Sequence, residues 1–130
     1  MPRAPARLSI RIDFDAGRLG PGKIALLEHI ANERSLAAAA RKLDMSYKRA
    51  WELLASVNEM FDEPIAIAHP GRNVEGSTEL TAFGERVIAL YRAIERRCAQ
   101  AATAGIEELS AAGRRPASAH RSRVRVKRQA

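Results

Sequence analysis

Cysteine is almost missing from this sequence. Cys98 stands alone, so no internal disulfide can form. No group of Cys and His has the spacing of metal ligands either. Aromatic residues are scarce, at 5% of 130 residues against a hydrophobic share of 46%. A core must therefore be built from Leu, Ile, Val and abundant Ala, a composition that suits closely packed helices. No apolar run approaches the roughly 18 residues a membrane-spanning helix needs. The first residues, Met1 to Arg7, carry arginines with no apolar segment behind them, unlike a secretory signal. Catalytic groupings are also lacking. His29, His69 and His120 are scattered, and there is no Gly-rich phosphate loop, paired-carboxylate site or Cys–His nucleophile pair. The expectation is a non-enzymatic soluble protein of a reducing, bacterial-type cytoplasm, associated with the nucleoid.

Acid is absent from one stretch. Residues 114–130 hold seven basic side chains and no Asp or Glu, and without them the sequence has 15 basic and 15 acidic residues. The net charge of +7 thus belongs to the tail. Any argument for nucleic acid must come from where charges lie within the body, not from the total. The tail could add salt-sensitive, sequence-independent affinity, or have no dedicated role.

What is present is a succession of short amphipathic segments. Leu8, Ile10, Ile12 and Phe14 alternate with polar residues, the period of a half-buried strand. Gly17, Gly20, Pro21 and Gly22 break the chain, and Pro21 suits the first turn of a helix carrying Ile24, Leu27, Ile30 and Ala31. Ser35 is placed to cap a second helix with Leu36, Ala39, Ala40 and Leu43 inward. Asp44 and Met45 form a turn, with Met45 plugging the corner. Ser46 caps a third helix to about Phe61, whose buried stripe is Ala50, Leu54, Val57 and Phe61. Ile65–Ile67 and Thr78–Leu80 read as two strands around a Pro/Gly/Asn-rich loop. Thr81 then starts a long final helix, weakened near Gly105. The fold class expected is mainly α with a small β-sheet: a winged helix-turn-helix with a long C-terminal dimerisation helix. Residues 1–112 make that domain and 113–130 a disordered basic tail.

In such a motif the N-terminal end of the third helix enters the major groove. Ser46, Tyr47, Lys48, Arg49 and Glu52 are the base-reading candidates: Arg and Lys can donate to guanine, and Glu can accept from cytosine. Arg34, Arg41, Lys42, Arg72 and Asn73 are candidate phosphate contacts, the last two on the wing loop. Glu75 opposes a wing contact, and a plain surface hairpin explains that loop equally well. Tyr47 and Trp51 could stack on sugar or base; packing at the edge of the core or against the partner subunit is the expectation for Trp51, and Tyr47 stays open. In the last helix Val87, Tyr91, Ile94, Cys98 and Ala101 repeat as a heptad seam. With Leu90 they are candidates for a homodimer interface.

Three runs carry a family resemblance: Pro21-Gly22-Lys23-Ile24-Ala25-Leu26-Leu27-Glu28-His29-Ile30, Ser35 to Leu43, and Met45-Ser46-Tyr47-Lys48-Arg49-Ala50-Trp51. Asn58-Glu59-Met60 and Leu80-Thr81-Ala82-Phe83-Gly84 extend them. Over about residues 8–100 the sequence resembles the N-terminal domain of ModE-type molybdate-responsive regulators. The Ala-rich segment and the Leu-Thr-x-x-Gly helix start are shared with LysR-type regulators. The resemblance implies a dimeric winged helix-turn-helix that binds promoter DNA, here expected to repress. Larger family members sense molybdate with C-terminal β-barrel domains. This sequence shows only a basic tail after its long helix, so no cofactor is expected in the chain and molybdate is implied by resemblance alone. Two alternatives remain: a non-specific nucleoid-type binder using the tail, and a winged-helix protein-interaction module.

Overall fold

The computed structural model describes residues 6–69 and 77–114. Its elements are β1 (Ile12–Phe14), β2 (Gly17–Leu19), α1 (Pro21–Glu33), α2 (Leu36–Lys42), α3 (Tyr47–Asn58), β3 (Ala66–His69), β4 (Ser77–Leu80), α4 (Ala82–Ala101) and α5 (Thr103–Ala112). Three helices followed by a hairpin and a long helix make the winged helix-turn-helix order expected from sequence.

The first strand is shorter than the alternating pattern suggested. Leu8 and Ile10 keep the alternation of half-buried and exposed positions, but only Ile12–Phe14 pairs, with β2 across the turn at Asp15 and Ala16. The glycine-rich break thus supplies a strand of its own. Gly17 lies opposite Phe14, where an added Cβ would come within 3.1 Å of the Met60 side chain.

Helix α1 starts with Pro21 in its first turn and buries Ile24, Leu26, Leu27 and Ile30. Leu26 extends the stripe read from sequence, and Ala31 falls on the exposed side. The helix closes at Arg34 in the left-handed region (φ 57°), and the Arg34 carbonyl accepts from the Thr78 N–H of β4. Ser35 caps α2, its hydroxyl accepting from the Ala38 N–H at 3.0 Å. Small residues then let α2 pack against both α1 and α3, with Ala39 and Ala40 fully or almost fully buried.

The turn between α2 and α3 is a Schellman closure. Met45 N–H donates to the Ala40 carbonyl and Asp44 N–H to that of Arg41, with Asp44 at φ 60°. Met45 is half-buried against the core, plugging the corner as its position suggested.

Beyond α3 the chain is anchored at Ile65. Asn58, the last residue of α3, accepts the Ile65 N–H at 2.7 Å on its Oδ1. The Ile65 carbonyl accepts the Thr81 N–H at 2.9 Å, and the Thr81 hydroxyl donates to the Pro64 carbonyl at 2.8 Å and to that of Ile65 at 3.1 Å. Thr81 in turn caps α4 by accepting the Gly84 N–H at 2.9 Å. An added Cβ at Gly84 would lie 2.3 Å from the Ile65 carbonyl oxygen, so only glycine allows that approach. The Leu-Thr-x-x-Gly signature is thus the joint between wing and long helix. The wing strands β3 and β4 pair antiparallel, from Ala66 opposite Leu80 to His69 opposite Ser77.

Two expectations need correction. Phe61 lies past the end of α3, not on its buried stripe, because the helix stops at Asn58. There the three phenylalanines of the chain form edge-to-face contacts, Phe14–Phe61 at 5.5 Å and Phe61–Phe83 at 5.6 Å. The long helix breaks at Ala102 and not near Gly105. Residues Leu8–Cys98 form one compact unit, and the residues from Ala99 onward fall in a second. In that second unit α5 buries none of its side chains.

Candidate nucleic-acid interface

The site is built on the first turns of α3. Ser46, in extended backbone, accepts the Arg49 N–H on its hydroxyl at 3.0 Å. That bond satisfies one of the free donors at the helix start and leaves the hydroxyl proton to point outward. Ala50, Leu54 and Val57 fasten the inner side of the helix to the core. Lys48, Arg49 and Glu52 are consequently exposed, and among the described residues none of them has an ion-pair partner. Tyr47 is also exposed, at 56%.

The phosphate candidates divide. Arg41 and Lys42 occupy the exposed last turn of α2, just before the first turn of α3. Arg41 has no ionic partner among the described residues, and Lys42 lies 3.9 Å from Glu33, a loose surface pair. Arg34 is exposed at the end of α1, where its backbone is engaged by the wing strand. Arg72 and Asn73 lie outside the described residues. The structure therefore gathers Arg41, Lys42, Ser46, Tyr47, Lys48 and Arg49 around one turn.

The expected seam on α4 also divides. Val87 is 6% exposed and Tyr91 1%, so both belong to the core of their own unit. Both side chains join the core cluster of the Leu8–Cys98 unit, which a heptad spacing alone does not distinguish from a seam between subunits. The Tyr91 hydroxyl donates to the Ile10 carbonyl at 2.7 Å, and burial pushes its pKa up, keeping the phenol a neutral donor. Leu90, Ile94 and Cys98 remain exposed.

Three features escaped the sequence reading. Trp51, expected to pack at the core edge or against the partner subunit, is 56% exposed in this chain, one turn after Tyr47 on α3. Asn58 joins α3 to the wing, a role foreshadowed only by its place at the end of the helical pattern. Arg92 grips Glu28 of α1 through two hydrogen bonds of 2.9 and 2.8 Å, and Glu95 through a third of 2.7 Å. The hydrogen bond from Arg92, helped by the charges of Arg92 and His29, outweighs burial and holds the Glu28 carboxyl below its ordinary value. Only the Glu95–Arg92 spacing was local enough to be visible in sequence. Among the described residues there is no cluster of His, Cys, Asp and Glu suited to a metal ion, and no helix is long and apolar enough to cross a membrane.

Residues 22–85 match the family described as bacterial regulatory helix-turn-helix protein, lysR family. The molybdenum transport protein ModE of Azotobacter vinelandii is 40% identical over 91 residues, covering 69% of this chain and 33% of that protein. The molybdenum-pterin-binding protein MopB of Rhodobacter capsulatus is 40% identical over 84 residues, or 65% of this chain and 31% of that protein. The DNA-binding transcriptional dual regulator ModE of Escherichia coli K12 is 34% identical over 71 residues, or 55% and 27%. A solved chain from a complex of the CbnR DNA-binding domain with DNA aligns over 71% of this chain and 97% of its own, with 22% identity and a TM-score of 0.49. The chain spans about a third of the length of the curated relatives it matches. Residues 22–85 are therefore similar to the helix-turn-helix family of lysR-type bacterial regulators, and the chain resembles about a third of the length of ModE-type relatives.

Proposed function

We propose that the protein is a transcriptional regulator of the ModE type that reads promoter DNA as a homodimer, with α3 in the major groove, and represses by occupying the promoter. One observation carries this reading: Lys48 and Arg49 project, without ionic partners among the described residues, from a capped helix end whose other side is fixed in the core. Partnerless cations on a rigid helix end gain most from a phosphate-lined groove. Arg41 and Lys42 supply flanking phosphate contacts that set the position of the helix. Self-association uses the exposed Leu90–Ile94–Cys98 stripe of α4, which brings two reading helices to successive half-sites. The molybdenum-related names of the relatives direct the search for targets toward molybdenum transport and cofactor genes.

The test is selection of bound duplexes from random DNA, with and without molybdate, followed by footprinting on the selected site. A palindromic consensus is expected. Lys48→Ala and Arg49→Ala each weaken it by about tenfold or more, with unchanged thermal melting. Intact binding in both variants refutes α3 as the reading helix. Binding that persists there but vanishes on deletion of residues 113–130 favours the non-specific alternative instead.

A further inference from the structure

Trp51 is the only tryptophan in the chain, and it lies one helical turn after Tyr47, about 40° away around α3. Both side chains are 56% exposed. Indole is among the costliest side chains to leave in water, and its burial is worth several times that of a methylene. The inner face of α3 is complete without it, since Ala50, Leu54 and Val57 fill that side. Trp51 therefore has a large apolar surface with no use inside the monomer.

Its surroundings select the occupant. Lys48 and the small Ala55 flank it on the helix, about 60° and 40° away. Lys48 lacks an ionic partner among the described residues, as do Arg41 and Arg49 elsewhere at the same end of α3, where Glu52 is the single acid of the helix. A second copy of this chain, docked there by two-fold symmetry, would set that cationic patch against itself. A duplex brings phosphates to the cations instead. In the floor of its major groove the C5-methyl of thymine is the one apolar group.

We propose that Trp51 is a specificity-determining residue whose indole packs against a thymine methyl in the major groove. The proposal rests on α3 being the reading helix and adds the base it reads and the residue that reads it. Lys48 and Glu52 read polar edges, whereas Trp51 favours a T·A pair at its own step. Tyr47, nearer the helix start, packs alongside and extends the apolar contact.

The experiment uses the full chain and the selected DNA site. Each thymine is replaced in turn by deoxyuridine, which removes the methyl group and keeps every hydrogen-bonding edge. Binding of labelled duplexes to wild type, Trp51→Ala and Trp51→Phe is followed by anisotropy, with melting curves as the folding control. Wild type is expected to lose about fourfold in affinity at one or two thymines. Trp51→Ala should bind the natural site about tenfold more weakly and no longer distinguish thymine from deoxyuridine there; Trp51→Phe should retain part of the discrimination. The proposal is overturned if every thymine tolerates the replacement, or if wild type and Trp51→Ala respond to it equally. It is also overturned if indole emission shifts with protein concentration in the absence of DNA, which would place a second copy over Trp51. Failure of the broader reading looks different: no duplex is bound, or Lys48→Ala and Arg49→Ala leave binding intact.

Discussion

Helix α3 leaves Tyr47 and Trp51 uncovered, and helix α4 leaves Leu90 and Ile94 uncovered, at 45% and 41% exposure. The two surfaces differ in their neighbours. On α3 the rings share a helix end with Lys48 and Arg49, which lack ionic partners among the described residues, and they carry a hydroxyl and an indole N–H. On α4 the exposed residues are aliphatic, with Cys98 continuing the stripe, and the helix carries Glu85 and Glu95 against Arg86, Arg92, Arg96 and Arg97. A surface that can hydrogen-bond and repels its own image suits a polyanion. An aliphatic stripe with no hydrogen-bonding group of its own suits another apolar stripe, such as that of a second copy. Exposed hydrophobic area alone would not have separated the two; the hydroxyl and indole N–H on the α3 rings, absent from the α4 stripe, do.

Both helices depend on the same joint. Asn58 of α3 accepts the Ile65 N–H, and Thr81 and Gly84 at the start of α4 close on the Ile65 carbonyl. The largest effect is therefore expected from Gly84→Val, whose Cβ would press on a backbone oxygen that cannot yield as a side chain would. A loss of about 3 kcal/mol in unfolding free energy is expected by denaturant titration. DNA binding and self-association should weaken together. A variant within about 0.5 kcal/mol of wild type would show that the joint is soft and that the two helices are not held through it.

The next test separates the two faces. Leu90→Glu combined with Ile94→Glu should weaken self-association by about 100-fold or more, from the loss of two apolar contacts. The melting of the monomeric unit should stay almost unchanged, since neither side chain is buried in it. Lys48→Ala with Arg49→Ala should do the reverse, reducing DNA affinity and leaving sedimentation alone. Wild type that sediments as a monomer at high micromolar concentration, or a charge pair in α4 without effect, would break the contrast.

Local signals made much of this legible in sequence. Ser35 and Ser46 cap the helices they were expected to cap, and the Ala39–Ala40 pair marks the close packing of α2. The positions of β3 and β4 followed from the turn-rich segment between them. Signals that depend on a distant partner were not legible. A heptad spacing cannot tell a monomer core from a dimer seam, so Val87 and Tyr91 were grouped with Ile94 although Tyr91 reaches back to Ile10. Trp51 is expected to pack at the core edge or against a partner subunit, and the completed α3 core leaves it no place of the first kind. The break at Ala102 carries no local marker, whereas Gly105, the conspicuous helix breaker, lies within α5.

The smallest expected effect concerns what sets α4 against α1. Arg92 bridges Glu28 and Glu95, and its guanidinium lies 5.7 Å from the Tyr91 ring centre. The hydrogen bond to Arg92 lowers the Glu28 pKa from 4.5, so the stabilisation it brings is complete above that value and disappears as pH falls through the lowered one. Both side chains are about a third exposed, and solvent screening leaves less than about 1 kcal/mol. Glu28→Gln should thus melt slightly lower than wild type at pH 6, and the gap should close on acidification below pH ~4. A gap that persists at pH 3 would assign the difference to packing instead of charge. Because this clasp fixes how α4 presents Leu90 and Ile94 but touches nothing on α3, any change it causes should appear in self-association and leave the affinity of the monomeric unit for a DNA half-site untouched.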